Sequence, residues 1–209
     1  IQAYPPGVRE NGGQYSHAGV WALMAQARFQ ATLARSPPAE ARDPDIAYRY
    51  FKYLSPAHRS RHAAQWAAYG LAEMADWPLQ DHQIAYARSL AERFGLLVRV
   101  ESQRRDNRVS KLIHGRQARA AGMGTWVEGL TSLHRLALTD ARMRDLAPKI
   151  AERAACGAGM LAARQYSPGE AAAFEQPSLA EGAWFTGGVT RMDDQQHALF
   201  PLRGHRDPG

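Results

Sequence analysis

The sequence predicts an all-α protein. Three observations carry this: apolar residues recur at helical spacing over seven segments, strand-like runs are scarce, and Pro- or Gly-containing breaks separate several of the segments. Helices are expected near 17–35, 44–54, 59–75, 80–95, 125–139, 144–165 and 192–200.

Each boundary has a local reason. Ser36-Pro37-Pro38 stops the first segment, and Pro44 opens the second, where a missing amide N–H is tolerated. Ser55-Pro56 ends the second. Gly122-Met123-Gly124 reads as a turn ahead of 125–139, and Tyr166-Ser167-Pro168-Gly169 closes the long segment before it. The best strand signal is Leu96-Leu97-Val98-Arg99-Val100. Residues 104–119 are polar and basic, and read as a loop or a poorly packed helix between two parts of the chain.

With 209 residues, 45% of them hydrophobic, the chain can bury a substantial core as one ordinary domain or two small ones. The net charge of +6 is carried almost entirely by Arg, with Lys only at Lys52, Lys111 and Lys149. Arg suits phosphate and sugar hydroxyls through its planar fork of donors. The cations are scattered and not gathered into one run, so no nucleic-acid partner is expected. Cys156 stands alone in a small apolar stretch, which excludes an internal disulfide framework and reads as a buried structural thiol. No apolar run reaches the length of about eighteen residues that a membrane span needs, and no signal peptide is seen; a cytoplasmic location is expected.

Three helix starts share a design. Gly12-Gly13-Gln14-Tyr15-Ser16-His17, Gly122-Met123-Gly124-Thr125-Trp126-Val127-Glu128 and Gly187-Gly188-Val189-Thr190-Arg191-Met192-Asp193-Asp194 each place glycines and polar groups ahead of apolar residues. Free N–H groups and the positive dipole end favour anions there. Ordinary helix capping explains the same pattern equally well.

Asp193 and His197, four apart, share a helix face and suit a proton-transfer pair or two metal ligands; an N-terminal cap with a surface His is the plainer alternative. Glu128 follows Trp126, whose ring suits stacking on a sugar; the alternative is a core Trp with an exposed Glu. Asp81-His82 reads as solvent-facing. Leu133, Leu136 and Leu138, with Met160 and Leu161, read as core stripe.

The densest signal is Tyr4-Pro5-Pro6-Gly7-Val8-Arg9-Glu10-Asn11-Gly12-Gly13-Gln14-Tyr15-Ser16-His17-Ala18. Gly12-Gly13 permits close backbone approach to a ligand. Arg9 offers a bidentate fork, Glu10 accepts from hydroxyls, and Asn11 does both. A Gly turn capping a helix is the alternative for the same residues.

This run resembles the inverting glycoside phosphorylase family of cellobiose phosphorylase and cyclic β-1,2-glucan synthase. The resemblance continues through Ile46-Ala47-Tyr48-Arg49-Tyr50-Phe51 and Leu54-Ser55-Pro56 to about Gly70, the first third of the chain. It implies an (α/α) barrel or toroid-like array of helical hairpins, complete or not. It divides the chain into residues 1–75, phosphorylase-like, and 76–209, a helical region of unassigned type or part of the same toroid. It implies that Arg9, Glu10, Asn11, Gln14 and Tyr15 line or brace a sugar site and that His17 helps hold phosphate. Inorganic phosphate is then a co-substrate, no other cofactor is expected, and the partner is an oligosaccharide or β-glucan. A homo-oligomer is compatible with all of this.

The chain departs from the family in two places. The Asp-rich motif that carries the general acid upstream is not found. Downstream, Leu71-Ala72-Glu73-Met74-Ala75-Asp76-Trp77-Pro78 stands where a Gly-Trp-Thr-Trp-Tyr-Thr-Gly-Ser type element would complete the phosphate site. Glu128 and Asp193 are the weak candidates left for the acid. The competing expectations are a carbohydrate-active enzyme, a non-catalytic scaffold or sugar-binding remnant, and, weakest, a nucleic-acid binder with a basic face over residues 99–119.

Overall fold

An Ala-rich stretch whose Ala67, Ala68, Leu71 and Ala72 fall on one helical face makes α1, Ala64–Glu73, the first helix that the structure, a computed structural model, describes. Residues 64–76, 78–105, 107–114 and 117–203 are described. The helices expected at 17–35 and 44–54, and the segment Tyr4 to Ala18, lie outside them. The chain divides into two compact units, Ile1–Arg88 and Ser89–Gly209, and the division falls inside one long helix. The described residues form helices, with one isolated bridge between Thr186 and Val189 and no strand among them. The all-α expectation therefore holds for the described residues.

In the first unit, α1 buries Ala67, Ala68, Leu71 and Ala72, with Met74 just beyond. Trp66 and Tyr69 lie with ring centroids 5.6 Å apart. The next helix, α2, Asp81–Ser102, begins where the Gln83 side chain accepts from the Gln80 amide at 2.7 Å, supplying a partner for one free donor at the helix start. Asp81 and His82 are exposed, as expected.

In the second unit, α2 continues with Leu90, Phe94 and Val98 buried at intervals of four. Leu96 to Val100, the best strand signal in the sequence, is the end of this helix. The run is rich in β-branched and aliphatic residues, but Val98 is buried while Leu96 and Arg99 are exposed, which is the 3.6-residue period and not alternation. Residues 104–119 contain a short helix, α3, Arg108–His114, whose Val109, Leu112 and Ile113 are all exposed. Of the two expectations for this stretch, a poorly packed helix is what forms.

The central element is α4, Ala120–Thr139, which packs on both α5, Ala147–Ala162, and α8, Met192–Arg203. Met123, Val127, Leu130, Leu133, Leu136 and Ala137 of α4 are all fully buried, each worth about 1.5–3 kcal/mol where the side chain is large. A 3-10 turn, Arg144–Leu146, and Pro148 in the first helical turn set up α5, which contributes Ile150, Ala154, Ala158 and Leu161.

Glycines decide how closely these helices approach. A Cβ on Gly129 would lie 2.5 Å from the Phe94 ring, and one on Gly157 would overlap the Val127 side chain. Gly122-Met123-Gly124 is therefore not the turn that its composition suggests: α4 starts at Ala120 and both glycines lie inside it.

Two further expectations are corrected. Leu138 is 58% exposed, because two residues beyond Leu136 points about 200° away around the helix; Leu133, Leu136 and Leu161 are core, and Met160 is half-buried. Cys156 is also half-buried and not enclosed.

After α5, Ser167 and Glu170 form a reciprocal capping box at α6, Pro168–Ala171. A second short helix, α7, is Pro177–Ala180. The indole N–H of buried Trp184 donates to the Leu161 carbonyl at 2.8 Å, so the loop is tied to the last turn of α5. Gly187 and Gly188 take φ of 60° and 76°, a turn that other residues adopt with strain, and the chain then enters α8. This third glycine turn is where the sequence places it.

Candidate functional site

The side chains that bring chemistry together in the second unit gather where α4 meets α8. A Cβ on Gly124 would run into the backbone of His197 and Ala198, so only glycine lets the two helices cross this closely. That crossing puts Glu128, one turn further along α4, beside His197. Both Glu128 carboxylate oxygens lie 3.1 Å from His197 Nδ1, which donates to them. Glu128 is only 3% exposed, and the imidazole is half-buried.

The hydrogen bond to Glu128 holds the His197 imidazole above its ordinary pKa of 6.5. Burial opposes the rise, and the negative charges of Glu128 and Asp193 add to it. The result is a Glu–His pair across a helix crossing, which can hold or pass one proton.

The expected Asp193–His197 pair is corrected by this geometry. Asp193 is exposed and acts on His197 through charge alone, while the hydrogen-bonding partner is Glu128, 69 residues earlier. The alternative of a core Trp126 with an exposed Glu128 is reversed: Glu128 is buried and Trp126 is half-buried. Among the described residues, no three His, Cys, Asp or Glu side chains come together as a metal site.

Two other buried carboxylates complete the polar framework. Asp194, 1% exposed, accepts from the Ala121 amide at 3.1 Å and pairs with the Arg119 guanidinium. Arg119 stands at the N-cap of α4, where no side chain of the cap residue itself accepts a bond, so a residue of α8 caps α4 from across the interface. Glu101, near the end of α2, accepts from Arg164 at 2.6 Å and from the Ala118 amide at 3.3 Å, with Arg104 at 3.8 Å. Arg164 also donates to the Ala118 carbonyl at 3.2 Å.

All three carboxylates thus have basic partners, and the two paired with Arg grip the residues that lead into α4. Sequence reasoning passed over Glu101, Arg119 and Arg164. Their signal was weak: each partner lies 63 to 75 residues away, and no local spacing pairs them. The basic face expected over residues 99–119 is partly spent, since Arg104 and Arg119 pair with these carboxylates and Arg105 donates to the Ser102 and Arg104 carbonyls.

Arg9, Glu10, Asn11, Gln14, Tyr15 and His17 lie outside the described residues. The case for them is the sequence motif. No family model matches the chain, and no solved structure does. Among curated proteins, the cyclic beta-(1,2)-glucan synthase NdvB of Rhizobium meliloti (strain 1021) is 46% identical over 56 residues. The match takes in 27% of this chain and 2% of the length of that protein, so what this chain shares with the glucan synthase is one short segment.

Proposed function

We propose that this chain is a β-glucan-related protein. In this reading Arg9, Glu10, Asn11, Gln14, Tyr15 and His17 bind sugar and inorganic phosphate, within an α/α toroid of helical hairpins. The observation that carries the proposal is the 46% identity over 56 residues to a cyclic beta-(1,2)-glucan synthase. The chemistry of the motif agrees with it. The Arg9 fork suits phosphate or vicinal hydroxyls, and His17 stands at an expected helix start, where an anion is welcome.

The second unit favours a scaffolding role over a catalytic one. A general acid must meet the leaving oxygen with a raised pKa. Glu128 instead is buried with both oxygens on His197, and Asp193 is exposed on the first turn of α8. Asp194 and Glu101 are committed to Arg119 and Arg164. The reading is therefore of a sugar-binding piece of a β-glucan-handling protein.

Calorimetric titration with β-1,2-linked glucan oligosaccharides tests it, alongside an assay for glucose 1-phosphate release in the presence of phosphate. Saturable binding that weakens about tenfold or more in Arg9→Ala and His17→Ala, without turnover, is the expected result. Phosphorolysis by the chain alone would overturn the non-catalytic reading. Absence of binding to any β-glucan would overturn the proposal entirely.

A further inference from the structure

A cleft of about 210 Å³ opens in the second unit, away from the Glu128–His197 crossing. Its floor is apolar: Ala91 from α2, Leu130 from α4 and Ile150 from α5 are buried there, with Leu146 half-buried beside them. Its rim is cationic. Arg99, Lys149 and Arg153 line it against a single carboxylate, Glu92. Leu96 stands on the same rim with 60% of its surface exposed.

The rim cations differ from those in the polar framework described above. Arg119 and Arg164 are matched to buried carboxylates, whereas the side chains of Arg99 and Lys149 have no hydrogen bond or ion pair among the described residues. Arg153 has only Glu152 at 3.6 Å, a neighbour whose side chain is 65% exposed. A pair so open to water contributes little and is easily given up. Three cations around one apolar pocket repel each other in the empty protein, and an anion relieves that repulsion.

The spacing that builds the rim is helical. Gly95 and Arg99 are four apart on α2, and Lys149 and Arg153 are four apart on α5, so each pair shares a face. Gly95 keeps the space open: a Cβ there would sit 3.5 Å from the Arg153 side chain, an ordinary contact that strains nothing, and any longer side chain would enter the cleft.

We propose that this cleft binds an amphiphilic organic phosphate, with the phosphate held by Arg99, Lys149 and Arg153 and the apolar body laid on Ile150, Leu146 and Leu96. A dianionic head matches three cations against one carboxylate. The volume of about 210 Å³ takes the head and the first part of the body. The apolar floor disfavours free sugar phosphates, whose hydroxyls would find no partners on Leu130 and Ile150. None of these residues belongs to the glucan motif, so binding here and glucan binding are tested independently.

The test uses the full chain and hexyl phosphate, titrated by calorimetry, with inorganic phosphate and neutral hexyl glucoside as comparators. Hexyl phosphate is expected to bind about tenfold or more tightly than either, because it alone meets both rim and floor. Arg99→Ala and Lys149→Ala should each weaken it by roughly tenfold. Gly95→Leu should abolish binding while the helical circular dichroism and melting temperature hold or rise, since leucine is the better helix former.

A second arm floats the protein with vesicles containing phosphatidic acid. Vesicle binding that Gly95→Leu removes identifies a lipid headgroup as the source of the phosphate, and binding confined to soluble hexyl phosphate identifies a free ligand. The proposal is overturned if wild type binds neither probe saturably, or if Gly95→Leu and Arg99→Ala bind as wild type does.

Discussion

Replacing Gly124 by alanine tests how α4 and α8 are held together. In an open helix this change stabilises by about 0.5–1 kcal/mol, because glycine loses more backbone freedom on folding. Here the added Cβ would collide with the carbonyl carbon and oxygen of His197 and with the amide nitrogen of Ala198. All three obstacles are backbone, so no side chain can turn aside, and α8 itself must move. Overpacking of this kind costs about 1–3 kcal/mol, and displacing α8 also stretches the Glu128–His197 and Asp194–Ala121 bonds. The net expectation is a destabilisation of about 1–2 kcal/mol, a drop in melting temperature of roughly 2–8 °C for a chain of this size. Gly122→Ala and Gly159→Ala are the controls, since a Cβ at either meets nothing within 4 Å, and both should melt at or above wild type. Thermal denaturation followed at 222 nm reads all three. A Gly124→Ala protein that melts with the controls would refute the close crossing, and with it the placement of Glu128 beside His197.

Two further outcomes follow from the same crossing. Because the folded state holds the His197 proton more tightly than the unfolded chain does, the pair's stabilisation is complete below about pH 6.5 and is lost as pH rises through the raised value. The unfolding free energy from urea titrations should therefore fall as pH rises above about 6.5, with a slope of up to about 1.4 kcal/mol per pH unit, and His197→Gln should flatten that slope; an unchanged pH profile would count against the pair. Asp194→Ala removes the cap of α4 and the partner of Arg119, but Arg119 is 39% exposed and can turn to water, so the loss should be about 1–3 kcal/mol and not the larger value of a trapped charge. A double-mutant cycle with Arg119→Ala measures the coupling, and a loss below about 0.5 kcal/mol would show that Asp194 caps nothing.

Helix positions were legible in the sequence wherever large apolar residues kept the 3.6-residue period over several turns, as on α4 and α5. They were misread where one residue type spoke louder than the period. Val98 and Val100 suggested a strand, yet Leu90, Phe94 and Val98 already defined a helical face that the valines continue. Gly122 and Gly124 suggested a turn, because composition alone does not separate a glycine that bends the chain from one that admits a neighbouring helix.

The candidate site was legible only in part. Glu128 and His197 were both singled out, but for different partners, since nothing local joins residues 69 apart. Asp193 and Asp194 are adjacent in sequence and about 100° apart on the helix, and that rotation decides which is exposed and which is buried. The cleft rim was readable in principle from Lys149 and Arg153 at i and i+4, but only the structure brings Arg99 to the same opening.

The trans cap on α4 also bears on the order in which the second unit assembles. A helix normally carries its own start signal, and its first turn can form as soon as those residues are free. Here the oxygen that accepts from the Ala121 amide belongs to a residue 73 positions downstream, and the ion pair beside it closes a loop of 75. Closing such a loop draws on chain entropy before any contact repays it. The start of α4 gains this partner only when α8 packs against it, so removing α8 would uncap α4 as well as expose its buried face.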